Sequence, residues 1–130
     1  MLKNLIILTL LLLPLVGFSQ TTDCYKFKEG KFRIADTRAG VVTIADRNSM
    51  YQTETSEALK AVVRFKITWQ SNCTFVLKLD KVIRNENKID FPANMEINVK
   101  IISTSGNAYT QEMSSTLSPT PYTVAVTKLN

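Results

Sequence analysis

The segment Val63-Arg64-Phe65-Lys66-Ile67-Thr68-Trp69, residues 63–69, alternates without a break between apolar and polar side chains. A period of two places successive side chains on opposite faces of a β-strand, so this segment has one apolar and one polar face. A polar tetrapeptide, residues 70–73, predicts a turn, and residues 74–83 resume the alternation with Phe75, Leu77 and Leu79 on one side. The pattern predicts a long β-hairpin that buries one face.

The same alternation recurs along the rest of the chain. Further strands are predicted at residues 30–34, 41–45, 49–55, 95–101, 109–116 and 122–128, with short turns between neighbours. Residues 54–60 are rich in helix formers and are the one place where a short helical turn is expected. The predicted fold class is therefore all-β: an antiparallel up-and-down meander of about eight strands, either a small closed barrel or a curled sandwich.

The first residues have the features of a secretory signal peptide. Lys3 supplies a positive charge, residues 5–13 are apolar apart from one threonine, and Gly17 and Ser19 provide small side chains before a cleavage site. The apolar segment is shorter than the about 20 residues that a membrane-spanning helix needs. We therefore predict a signal peptide at residues 1–19.

Removal of this peptide would leave a single domain, residues 20–130, with no transmembrane segment, located in the periplasm or secreted. The cysteine content agrees with export, because disulfides form in oxidising compartments. Cys24 and Cys73 are the two cysteines of the chain, and neither belongs to a Cys-x-x-Cys motif. A structural disulfide between them is predicted, and a redox-active pair is disfavoured.

The composition argues against the common enzyme classes. The chain contains no histidine, which removes Ser-His-Asp and Cys-His catalysis, the usual zinc sites and histidine ligation of haem. The four glycines are not clustered into a phosphate-binding loop, and the basic residues are interspersed with acidic ones, which disfavours nucleic-acid binding. We predict a protein that is not an enzyme and that has no cofactor or metal.

A pair of carboxylates could still support hydrolysis. Glu54 and Glu112 are the first two to examine, because Gln52 and Gln111 lie on the same predicted strands. The alternative is that each carboxylate faces solvent and pairs with a lysine or arginine on a neighbouring strand.

A set of apolar and aromatic residues on the predicted inner face could line a ligand cavity or simply form the core. These candidate ligand-lining residues are Phe65, Ile67, Trp69, Phe75, Leu77 and Tyr109.

Residues 24–32, Cys24-Tyr25-Lys26-Phe27-Lys28-Glu29-Gly30-Lys31-Phe32, resemble the opening of a family of small exported β proteins of the Bacteroidetes. Further matching features are Ile44 with Arg47, Gln52 with Glu54, and Trp69 followed by Cys73. That family has no established activity, so the resemblance implies an exported, compact protein and no particular chemistry.

A second resemblance is to lipocalin-like barrels, whose first strand opens Gly-x-Trp. Gly30-Lys31-Phe32 stands at the matching place, with phenylalanine instead of tryptophan, and no arginine follows Arg84 to pack over the first strand. Together these patterns predict an exported, non-enzymatic module that binds a small hydrophobic ligand in a barrel. The alternative is a protein-interaction or envelope-structural domain with a filled core and an envelope protein as its partner.

Overall fold

A computed structural model describes residues 23–130 of the chain. The predicted signal peptide, residues 1–19, and its cleavage site lie outside the described residues. In the described part of the chain there is no helix with the length and apolarity that crossing a bilayer requires.

The described residues form eight antiparallel strands in up-and-down order, and the eighth pairs with the first to close a barrel. This confirms the predicted all-β meander and favours the barrel over the sandwich. The strands are β1 (Gly30–Asp36), β2 (Val41–Arg47), β3 (Tyr51–Ser56), β4 (Ala61–Trp69), β5 (Thr74–Asn85), β6 (Glu96–Ser105), β7 (Ala108–Ser115) and β8 (Tyr122–Lys128), preceded by a 3-10 turn at Tyr25–Phe27.

The helical turn expected between positions 54 and 60 does not form. Strand β3 continues to Ser56, and the chain reverses in a tight turn in which the Lys60 N–H donates to the Glu57 carbonyl oxygen at 3.3 Å. The Ser56 hydroxyl accepts the Leu59 N–H at 3.2 Å, which satisfies a donor inside the turn. Pairing with β4 begins again at Ala61, so the sheet ladder outweighs the local helix propensity.

One end of the barrel is closed by the N-terminal turn. The side chain of Phe27 is completely buried there, and the predicted disulfide is present, joining Cys24 to Cys73 in the turn between β4 and β5. Gly30, which follows the 3-10 turn, has a φ of +133°, a conformation that residues with a Cβ atom rarely adopt. This glycine lets the chain leave the N-terminal 3-10 turn and enter β1 directly.

The opposite end of the barrel is its mouth. The connections between β1 and β2, β3 and β4, β5 and β6, and β7 and β8 all lie there, the longest being residues 86–95. Strand β5 extends beyond its pairing with β6, which ends at Lys78 opposite Glu96. The mouth is therefore less completely hydrogen-bonded than the closed end.

Candidate functional site

Arg47 lies inside the barrel near the closed end, where only 2 % of its surface is exposed. Its side chain donates three hydrogen bonds: Nε to Gln52 Oε1 at 2.7 Å, one terminal nitrogen to the Phe27 carbonyl oxygen at 2.7 Å, and the other to the Tyr109 hydroxyl at 3.1 Å. Among the described residues, no carboxylate lies within ion-pair distance of it. The charge is thus satisfied by neutral oxygens.

Aromatic rings complete the surroundings of Arg47. Its guanidinium carbon lies 4.2 Å from the centre of the Phe32 ring and 4.8 Å from that of Phe75, both in the range of cation–π contacts. The rings of Phe27 and Tyr109 pack together at 4.7 Å between centroids. An arginine therefore does pack over the aromatic residue of the first strand, but it comes from β2 and not from the C-terminal part of the chain.

Nearer the mouth, the interior contains a cavity of about 130 Å³. Its walls come from β2, β3, β4 and β6 and from the 86–95 connection, and its rim includes Leu59, which is partly exposed. The lining residues are mostly apolar: Thr43, Glu54, Ser56, Leu59, Ala61, Val63, Phe65, Phe91, Met95 and Ile97. Glu54 is the one charged side chain among them.

Glu54 has an altered acidity. Removal of its carboxyl from water by burial raises the pKa of Glu54 to about 7, although the charge of Arg47 and a hydrogen bond from the Gln52 side chain act in the opposite direction. Burial also raises the pKa of Tyr109 and of Tyr122, and the negative charge of Glu54 raises both a little further. A carboxyl poised near neutral pH inside an apolar cavity is a typical feature of binding and catalytic sites.

A second polar group of the interior lies outside the cavity wall. Gln111, on β7, is 3 % exposed, and its Oε1 atom is buried without a hydrogen-bond partner among the described residues. Its Nε2 atom contacts the Met113 sulfur at 3.5 Å. Since β3 and β7 are four strands apart in an eight-stranded barrel, Gln111 and Glu54 belong to opposite walls.

The six predicted ligand-lining residues are not all brought together at the cavity. Phe65 lines it, whereas Ile67, Phe75, Leu77 and Tyr109 are packed in the core below. Trp69 is partly exposed near the closed end, where its ring lies 4.6 Å from that of Phe75 and 3.9 Å below the Lys28 ammonium.

The two carboxylates singled out for a hydrolytic pair do not converge. Glu54 faces the interior from β3, while Glu112 is exposed on the outer side of β7, one residue after the inward-facing Gln111. No cluster of three or more histidine, cysteine, aspartate or glutamate side chains occurs between residues 23 and 130 that could hold a metal ion.

Sequence reasoning singled out Glu54 as a candidate carboxylate but not as the charged group of an apolar cavity, and it assigned no interior role to Arg47. A usable signal was present, because Gln52, Glu54 and Ser56 alternate with Tyr51, Thr53 and Thr55, so both faces of β3 are largely polar. A strand of a closed barrel must turn one of its faces inward, and polar side chains on that face mark a functional or hydrogen-bonded interior.

A wider groove of about 530 Å³ lies on the outer surface beside the closed end, lined by Tyr25, Lys26, Lys28, Glu29, Ser49, Trp69 and Lys128. Its cations already have partners: Lys28 contacts the Trp69 ring, Lys26 donates to the Gly106 carbonyl oxygen, and Lys128 donates to that of Lys26. The mouth cavity, with its half-buried carboxyl, is the stronger candidate site. No protein-family model, curated protein or solved structure matches this chain.

Proposed function

We propose that the protein is an exported, non-enzymatic binding protein that holds a small, largely apolar molecule in the mouth of its barrel. The observation that carries this proposal is the mouth cavity of about 130 Å³, lined mostly by apolar side chains inside a closed barrel. Clefts of this composition with a few polar groups are the usual form of small-molecule sites.

The volume limits the size of the ligand. Cavities that take drug-sized molecules measure about 300 Å³ or more. A dry protein cavity of about 150 Å³ accommodates benzene. The mouth cavity therefore suits a molecule about as large as a single six-membered ring, and a lipid would not fit.

Export is part of the proposal. The disulfide between Cys24 and Cys73 supports it, because such bonds persist in oxidising compartments, and so does the signal-like sequence at residues 1–19. The resemblance to small exported Bacteroidetes proteins points the same way, with the periplasm or the medium as the place of action.

The binding test uses a variant that fills the cavity. Ala61 lines the cavity and is buried, so Ala61→Leu adds three carbon atoms to the space that a ligand would occupy. Titration of the wild-type protein with benzyl alcohol, followed by NMR shifts of the backbone amides, should move signals from residues of the cavity wall. In Ala61→Leu these shifts should disappear at the same concentrations.

The matched control is Val62→Leu, because Val62 lies on the opposite face of the same strand and is absent from the cavity wall. This variant should bind as the wild type does. Shifts that persist in Ala61→Leu, or that are spread over the outer surface, would place binding elsewhere and would contradict the proposal.

A second candidate function is protein interaction through β5. Its last residues pair only with β4, and Val82 and Ile83 are exposed there. Unpaired strand edges of this kind accept a strand from a partner. This edge becomes the leading candidate if small apolar probes do not bind at all.

A further inference from the structure

The polar atoms of the barrel interior differ in whether they can still form a hydrogen bond with a ligand. Each of the three guanidinium nitrogens of Arg47 already donates to an oxygen. The side-chain amide of Gln52 accepts from Arg47 through its oxygen and bonds to Glu54 through its nitrogen. What remains at the cavity is a carboxyl group, which accepts hydrogen bonds when it is ionised.

The carboxyl of Glu54 also lacks a cation at close range. Among residues 23–130, no lysine or arginine nitrogen lies within 4 Å of it, and the positive charge that acts on it is that of Arg47, from beyond ion-pair distance. A carboxylate in an apolar cavity without a paired cation is costly, and an opposite charge brought beside it removes much of that cost.

Gln111 does not contribute to this site. Its Oε1 atom is a buried acceptor without a hydrogen-bond partner among the described residues, but Gln111 is not part of the cavity wall. The group of the cavity that calls for a hydrogen-bond donor is therefore the carboxyl of Glu54.

We propose that the ligand of the mouth cavity is a small primary amine, with an apolar body about the size of a benzene ring and an ammonium group that pairs with Glu54. This inference rests on the proposed binding function and adds the chemical class of the ligand. A carboxylic acid of the same size is excluded by repulsion from Glu54, and an alcohol offers a single, uncharged donor.

The test compares three molecules of nearly equal size: benzylamine, benzyl alcohol and benzoate. At pH 8, benzylamine should bind at least about tenfold more tightly than benzyl alcohol, because a charge-assisted hydrogen bond adds upward of 1.4 kcal/mol, and benzoate should not bind. In Glu54→Gln the affinity for benzylamine should fall to that for benzyl alcohol or below it, because the ammonium then has no charged partner in the cavity.

The matched control is Glu112→Gln, which removes an exposed carboxylate from β7 and should leave all three affinities as they are. The affinity for benzylamine should also rise between pH 5 and pH 8, as Glu54 ionises. The other titratable or charged groups acting on Glu54 or facing it are Arg47, Tyr109 and Tyr122, and none of them changes charge in that interval.

The outcomes separate the two proposals. If benzyl alcohol or benzoate binds as tightly as benzylamine, or if Glu54→Gln leaves the amine affinity unchanged, the amine inference is wrong and the binding function stands. If none of the three molecules binds, the binding function is wrong and the inference falls with it. Amide NMR spectra of Glu54→Gln that retain the wild-type dispersion establish that the variant is folded.

Discussion

Arg47 joins three parts of the structure that are distant along the chain. Its nitrogens reach β3, the N-terminal turn and β7, and its planar group lies against two aromatic rings. Only a guanidinium has donors in the fixed directions that such an arrangement needs. The closed end of the barrel is therefore organised around one residue.

Arg47→Lys tests this role. The ammonium cannot reach all three acceptors, so at least one buried oxygen loses its donor, and we expect a loss of about 2–4 kcal/mol in the free energy of unfolding. Urea unfolding followed by the fluorescence of Trp69, the single tryptophan of the chain, measures the loss. Arg33→Lys, on the exposed face of β1, is the control and should change stability by less than about 0.5 kcal/mol. Equal stability of the two variants would contradict the account.

The N-terminal 3-10 turn acts as the plug of the barrel, and the disulfide holds it in place. Cys24 and Cys73 are 49 residues apart in sequence, and Phe27, three residues after Cys24, fills the closed end. The bond therefore restricts both the unfolded chain and the position of the plug.

The variant with both cysteines replaced by alanine should lose about 4 kcal/mol of unfolding free energy, as expected for a closed loop of this length. Hydrogen exchange should also increase in the plug more than in β6 and β7, since the plug is then held by non-covalent contacts, such as those of Phe27 and Arg47, without the covalent bond. Uniform loss of protection across the barrel would mean that the plug has no separate stability, contrary to this expectation.

The strands that sequence reasoning located best are those with a fully apolar inner face. Residues 63–69 and 95–101 were found because Val63, Phe65, Ile97 and Val99 repeat every second position. The inner face of β3 carries Gln52, Glu54 and Ser56. The strand could therefore be predicted from the sequence, but the side of it that faces the barrel interior could not. The alternation of apolar and polar residues along a strand indicates which side chains share a face. Which of the two faces lies inside is decided only when the sheet closes into a barrel.

The candidate site was less predictable than the fold for the same reason. Of the six residues predicted to line a ligand cavity, Phe65 lies in the wall of the mouth cavity, whereas four of the other five lie in the packed core. A cavity is the space that packing leaves over, and it depends on the sum of many side-chain volumes rather than on any local pattern. The disulfide was predictable because the chain offers only two cysteines.

The half-buried carboxyl of Glu54 makes the stability of the entire barrel dependent on pH. The pKa of Glu54 is about 7 in the folded protein, against 4.5 for an ordinary glutamate. Below pH 4.5 the carboxyl is protonated in both the folded and unfolded states, so it does not lower the free energy of unfolding. Between pH 4.5 and 7 the unfolded chain ionises first, so the free energy of unfolding should fall as pH rises, by at most about 3 kcal/mol.

Glu54→Gln should remove this decrease and leave a protein that is more stable than the wild type above pH 7. Urea midpoints between pH 4 and pH 8 measure the effect, with Glu112→Gln as the control that keeps the wild-type profile. If the urea midpoint of the wild type stays level or rises over this interval, ionisation of the Glu54 carboxyl does not destabilise the folded protein, which would contradict the prediction.

The pairing of β1 with β8 has a consequence for how the protein matures. Phe32 lies opposite Lys128, so the seam joins the two extremes of the domain. A ribosome or a secretion channel releases the N-terminal side first, and the partner of β1 arrives last. Until then the first strand has an open edge and an uncovered apolar face, which is a state that aggregates or attracts chaperones. Completion of the barrel must therefore wait for β8, and removal of β8 should yield a chain that is degraded rather than a smaller working protein.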